Sequence, residues 1–309
     1  MRDKKFWILL GGLLIVFLTL IFWPNKTINN KTQLQLNNIV EPVADFAMNS
    51  PKIIDWGGVV EKKYNSIKVL VVEPKQIDIN QKIEIRNSLS KEIYNTNITF
   101  NFDDNRNIFE FDNAIKFPNQ IERGDKQVGE IKTMFLENMK NLGNILNFDY
   151  KVEKVNYKQF LSPWWISGNE KEYDALEVLA NYYYENIPIK TFEGYMIKSD
   201  YFGNGKLVKT ENHLPFERVQ KTIDKQTLTI SELRNLPINN YKIWRVEGGS
   251  KLELSGEDPV IDMVKVNSYE LEYIYDVKTN VVWPYYFIVG ESDLPTGKAE
   301  ITLIVSAIK

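Results

Sequence analysis

The sequence holds no cysteine and a single histidine, His213, in 309 residues. Without thiols there is no disulfide, no thiolate nucleophile, no Cys-bound zinc, no iron–sulfur cluster and no lipid on an N-terminal cysteine. One imidazole cannot build a multi-histidine metal centre. A basic block is also missing. The 38 Lys and Arg face 41 Asp and Glu, for a net charge of −3, so no nucleic-acid partner is expected. What the chain does have is apolar material. Hydrophobic residues make up 43% and aromatics 13%, ample for a packed core without cross-links.

One stretch stands apart. Residues 6–23 read FWILLGGLLIVFLTLIFW, without a charge. As a helix they extend about 27 Å, close to the ~30 Å hydrocarbon core of a bilayer. Trp7 and Trp23 bracket the run, Pro24 ends it, and Arg2, Lys4 and Lys5 precede it. The expectation is a single-pass membrane anchor, Phe6–Trp23, with residues 1–5 cytoplasmic and the bulk of the chain extracytoplasmic. A cleaved signal peptide has a shorter apolar region and a small-x-small site. Here Phe22-Trp23-Pro24-Asn25 follows instead.

Residues 24–38 are polar and Asn-rich and read as a linker. Three stretches follow: a first α+β module over 39–128, a second over 129–215 and an antiparallel β module over 216–309. The clearest helix spans about Gly129 to Leu146, with Phe135, Met139, Leu142 and Leu146 on one face. Val40 to Met48 reads as a short helix. Thr96–Phe102 and Ile108–Phe111 flank a polar turn. Tyr195–Phe202 and Lys206–Thr210 flank Gly203-Asn204-Gly205, where Asn-Gly tolerates the positive φ of a hairpin turn. Asp174–Tyr184 alternates as a strand through Leu176, Val178, Ala180, Tyr182 and Tyr184, although Tyr173, Leu176, Ala180 and Tyr183 also fit a helix. At the C-terminus Tyr269, Leu271, Tyr273 and Tyr275 share a strand face. Val281–Val289 is an apolar run interrupted by Pro284, which marks an edge or bulge. Ala299, Ile301, Leu303, Val305 and Ala307 alternate with polar residues. These three strands predict an antiparallel meander. Residues 248–262 read as a loop before it. A short helix, strands and a polar-turned hairpin recur weakly in 40–117 and 129–212.

The basic tail, single apolar helix and α+β body resemble the YycH/YycI-type membrane-anchored regulators of a histidine kinase, and more loosely PepSY-like modules. So do Asn186-Ile187-Pro188-Ile189 leading to the hairpin at Asn204-Gly205-Lys206-Leu207, Leu271-Glu272-Tyr273, Val282-Trp283-Pro284-Tyr285-Tyr286-Phe287, and the closing Val305-Ser306-Ala307-Ile308. The likeness covers mainly residues 186–309. It implies an α+β fold: an N-terminal transmembrane helix, then antiparallel sheets with a few packed helices in repeated PepSY-like modules. It also implies a non-enzymatic role, played by contact with another membrane or envelope protein.

Catalytic patterns are absent. His213, in Glu211-Asn212-His213-Leu214-Pro215, lacks a GxSxG partner motif and reads as a surface-loop residue. Asp103-Asp104 reads as a solvated turn, because Arg106 intrudes and the EF-hand glycine is missing. Glu110 and Asp112 share a strand face without a visible cleft. Gly203-Asn204-Gly205-Lys206 lacks the rest of a phosphate loop. Trp164 and Trp165, between Pro163 and Gly168, are the candidate partner or membrane-interface contact, if they do not close a small satellite core. The expectation is a membrane-anchored, non-enzymatic regulatory or scaffolding partner, with no cofactor, no metal and no catalytic residue. A carboxylate-dependent envelope hydrolase or glycan-binding protein, and a small-ligand sensor, stand as alternatives.

Overall fold

A computed structural model describes residues 41–42, 49–64, 66–90, 100–104, 108–112, 127–146, 150–161, 164–171, 173–247, 260–295 and 297–309. The strands are β1 (Ile53–Asp55), β2 (Ser66–Pro74), β3 (Asn101–Asp103), β4 (Ile108–Asp112), β5 (Tyr150–Leu161), β6 (Trp164–Ser167), β7 (Ala175–Tyr184), β8 (Ile187–Lys190), β9 (Ile197–Phe202), β10 (Leu207–His213), β11 (Phe216–Gln226), β12 (Lys242–Glu247), β13 (Met263–Asp276), β14 (Val281–Leu294) and β15 (Gly297–Ser306). The helices are α1 (Ile79–Ser90), α2 (Val128–Leu146) and α3 (Ile230–Arg234).

All fifteen strands join one sheet, whose main path runs β11-β2-β14-β13-β8-β7-β9-β10-β4-β3. β15 extends from β14 to β12, β5 flanks β7 and carries β6, and β1 pairs β13. Most ladders are antiparallel, but β1 and β8 each lie parallel to β13. Strands from all three of the stretches 39–128, 129–215 and 216–309 enter this sheet, within the compact unit Pro42–Lys309.

The C-terminal meander forms as its alternation predicts. β13 pairs β14, and β14 pairs β15, both antiparallel. Tyr269, Leu271, Tyr273 and Tyr275 are all buried, and Tyr269 meets Tyr286 edge to face at 5.6 Å. The Tyr286 hydroxyl donates to the Leu228 carbonyl at 2.8 Å, which keeps that buried oxygen satisfied. Pro284 lies inside β14, at a changeover of neighbours. Val281 and Val282 pair with β2, and the ladder to β15 begins at Tyr285. The missing N–H thus falls where one ladder has ended and the next has not begun.

α2 presents Ile131, Phe135 and Met139 to the core, and Phe135 stands edge-on to Tyr201 of β9 at 6.4 Å. The spacing that predicts this helix also predicts its buried face; the side chains of Leu142 and Leu146 lie outside the described residues. The glycine hairpin forms as expected. Gly205 adopts φ +85°, its N–H donates to the Phe202 carbonyl at 2.8 Å, and Asn204 Oδ1 accepts from the Lys206 N–H at 2.8 Å. Asp174–Tyr184 is a strand over Ala175–Tyr184. In the first hairpin β3 and β4 pair Asn101–Asp103 with Ile108–Glu110; Thr96–Thr99 lie outside the described residues.

Several expectations are corrected. Among the described residues no helix is long and apolar enough to cross a membrane, and residues 6–23 lie outside them. The N-terminal transmembrane helix is therefore no part of the fold described. The single-pass topology, the cytoplasmic N-terminus and the membrane-mediated partnership drawn from that helix are set aside with it. The purely antiparallel, PepSY-like repeated architecture gives way to a single mixed sheet. Of the helix expected at Val40–Met48 only Glu41 and Pro42 are described, and they are not helical; the rest of it and most of the loop 248–262 fall outside the described residues.

Gly290 is required by a close approach. It pairs with Val266 where β13 shifts register, and a Cβ there would sit 2.5 Å from the Lys265 carbonyl oxygen. The obstacle is backbone, so a side chain cannot simply rotate away. Gly290→Ala is expected to destabilise the fold by about 1–3 kcal/mol, read as a lower urea midpoint at unchanged slope.

Candidate functional site

β7 is buried on both faces. Leu176, Val178, Ala180 and Tyr182 join the main apolar core. The alternate row carries Glu177 and Asn181, with 1% and 0% of their surface exposed. A carboxylate in such a place must be compensated. The ladders supply the partners. Asn156 of β5 and Asp200 of β9 stand directly across from Glu177, and Lys209 of β10 stands across from Asp200. Asn156 Nδ2 donates to Glu177 Oε2 at 2.8 Å. The ammonium groups of Lys158 and Lys198 approach Glu177 Oε1 at 3.3 and 3.5 Å.

These surroundings drive two neighbouring carboxyls apart. Burial pushes Glu177 up, but Lys158, Lys198 and the Asn156 hydrogen bond outweigh it and hold the group below the usual carboxylate range. Asp200 goes the other way. Burial and then the charge of Glu177 raise it to about 7, against the pull of Lys158, Lys198 and Lys209. Asp200 Oδ1 is buried without a hydrogen-bond partner. A charged base thus stands beside an acid that keeps its proton to neutrality, the division of roles found where paired carboxylates do chemical or switching work.

A cavity of about 270 Å³ opens beside this pair, lined by Val155, Asn156, Tyr157, Lys158, Gly168, Arg245, Val246 and Glu247. Asn156 and Lys158 belong to both features, lining the cavity and holding Glu177. At the rim, Glu247 is shared between Lys154 and Arg245, each at 2.7 Å.

His213 is no surface-loop residue. It closes β10, buried to 4% exposure, and its N–H donates to the Met196 carbonyl at 2.8 Å. Its Nε2 lies 3.3 Å from Glu211 Oε1 and 3.7 Å from Glu193 Oε2. Among the described residues these three form the group whose ligand atoms could hold a metal ion.

Trp164 and Trp165 lie in strand β6 instead of a loop, paired with Leu161 and Phe160 of β5. The contact expected of their side chains falls outside what the structure describes. Asp104 is exposed and is met by Lys82 at 2.7 Å, so its charge has a partner within the chain. Glu110 Oε1 accepts from Asn101 Nδ2 at 3.1 Å, and the Asp112 side chain lies outside the described residues. Gly203–Lys206 is a hairpin turn. Lys190, buried and bridged to Glu272 at 2.6 Å, lies over the rings of Phe287, Tyr195 and Trp244 at 4.5, 5.0 and 5.3 Å. Such a cage takes cations, but Lys190 itself fills it.

Glu177, Asp200, Lys158 and Arg245 carry no sequence signature. They are distant in the chain, and a strand with one apolar row is ordinarily solvated on the other. The one usable sign is the strand's own composition. Leu179 shares the row of Glu177 and Asn181, which is unusual for a wetted face.

No model of a known protein family matches the sequence, and no curated protein matches it. The expected likeness to YycH/YycI-type regulators is corrected on this finding and on the single mixed sheet. The regulatory partnership in a membrane goes with it.

Because Asp200 binds its proton more tightly in the folded chain than in the unfolded one, its contribution to stability is full below the unfolded pKa of about 4. It declines as pH rises to about 7. Asp200→Asn keeps the shape and the hydrogen-bonding capacity of the protonated acid. Its stability relative to the parent is expected to grow by roughly 2–4 kcal/mol between pH 4 and pH 8. Urea unfolding of both chains across that range measures the difference.

Proposed function

We propose that this chain is a binding protein, not an enzyme, and that the cavity between β5 and β12 takes a small anionic ligand. The supporting observation is the charge around it. Lys154 and Arg245 share Glu247, and Lys158 and Lys198 share Glu177. Lys198 also stands across from Glu211, so with Asp200 protonated these four cations outnumber the three carboxylates they meet among the described residues. A carboxylate or phosphate supplies the missing negative charge, and Arg245 offers it the fork geometry that Lys lacks. The cavity is at the small end of the range for metabolite sites. Among the described residues its lining holds no Ser, Thr, Cys or His, and Lys158 is engaged by Glu177, which favours recognition over nucleophilic turnover.

The reading is tested by thermal-shift screening against inorganic phosphate and small mono-, di- and tricarboxylates. One of them is expected to raise Tm with concentration, by mass action, and Arg245→Ala and Lys158→Met are expected to abolish the shift. Affinity is also expected to fall about threefold to tenfold from pH 6 to pH 8, as Asp200 ionises and cancels one positive charge; Asp200→Asn removes that dependence. A panel without effect, or a shift that survives both substitutions, contradicts the reading.

A further inference from the structure

We propose that Glu193, Glu211 and His213 form a zinc site, separate from the anion cavity and independent of it. The three side chains come from two places that the fold brings together. Glu211 and His213 share one face at the end of β10. Glu193 sits in the turn after β8, which is closed by the Thr191 N–H donating to the Gly194 carbonyl at 2.8 Å and the Gly194 N–H donating back at 3.2 Å. Trp244 Nε1 donates to the Phe192 carbonyl at 3.0 Å and pins that turn.

The spacing suits the ligands of one ion. His213 Nε2 is buried, points at the two carboxylates and has no hydrogen bond. It lies 3.3 and 3.7 Å from Glu211 Oε1 and Glu193 Oε2, distances at which a protonated imidazole pairs with a carboxylate and a neutral one shares an ion with it. A tetrahedral ion with bonds of 2.0–2.2 Å holds its ligand atoms about 3.3–3.6 Å apart. All three candidate atoms lie within 4.8 Å of one another, so the carboxylates close on an ion by small side-chain rotations.

The donor set selects the metal. An imidazole is a poor ligand for calcium or magnesium, which take oxygen. One nitrogen with two carboxylates suits zinc, and the two negative charges neutralise it. The surroundings also call for a cation. Glu110 of β4 stands directly opposite Glu211, a like-charge pairing that disfavours the sheet, while Lys198 of β9 stands opposite Glu211 on the other side. Glu193 keeps 42% of its side chain exposed, so the fourth position opens towards solvent and a water completes the shell.

The full-length chain, stripped with a chelator and desalted, is titrated with zinc sulfate by calorimetry, and its metal content is counted by mass spectrometry. One zinc per chain is expected, and calcium chloride is expected to give no heat. Glu211→Gln and His213→Gln are expected to lower zinc affinity at least tenfold. Glu193→Gln, on a half-exposed turn, is expected to do so with an unchanged circular dichroism spectrum, so a failure of the buried variants to fold leaves the test intact. Absence of stoichiometric zinc, or parental affinity in Glu193→Gln, overturns the assignment. Neither outcome touches the anion cavity, whose variants lie on β5 and β12.

Discussion

An ionised carboxylate in a dry sheet face costs several kcal/mol unless cations and hydrogen-bond donors reach it, and Glu177 sits in such a place. Its charge is tolerable only because Asn156, Lys158 and Lys198 converge on it from β5 and β9. The ladders must therefore hold their register. A slip of one residue would turn Glu177 into the apolar core and Leu176 or Val178 away from it. It also explains its neighbour. Burial first, and then the charge of Glu177, keep Asp200 from ionising in the ordinary acid range, so below about pH 7 the pair carries one negative charge.

The frame that keeps this register is the long C-terminal meander, joined to the β7 region through β8. That strand is four residues long. It pairs antiparallel with β7 and parallel with β13, so one short segment links two runs of sheet. Its last residue, Lys190, is buried against Glu272 of β13 and three aromatic rings. The junction thus holds a second compensated charge instead of plain apolar contact. Truncating either partner would strand the other, which ties the geometry of the junction to its electrostatics.

Much of the fold was legible because it rests on local signals. The alternation in Tyr269–Tyr275 and Ala299–Ala307, the turn at Gly203-Asn204-Gly205 and the helical spacing of Phe135 and Met139 each state a face or a bend within a few residues. The site was not legible, because its residues are joined only by register. Glu177 and Asp200 meet across β7 and β9, and nothing near either residue announces the other. His213 follows the hairpin strand expected to end at Thr210, and so reads as a loop residue; β10 instead continues to His213. Trp164 and Trp165 read as loop residues from their flanks. Pro163 and Gly168 flank them, yet a four-residue strand fits between. The parallel contacts of β1 and β8 with β13 join segments far apart in sequence, which no pattern of period two reveals.

The account rests most directly on the division of protons between two facing carboxyls. Carbon-detected NMR titration of the labelled side chains, from pH 3 to pH 9, reads each carboxyl separately. Asp200 is expected to titrate near pH 7 and Glu177 below the usual carboxylate range. Two ordinary titrations near pH 4 would show that neither group lies in the dry, paired environment described, and would contradict the account.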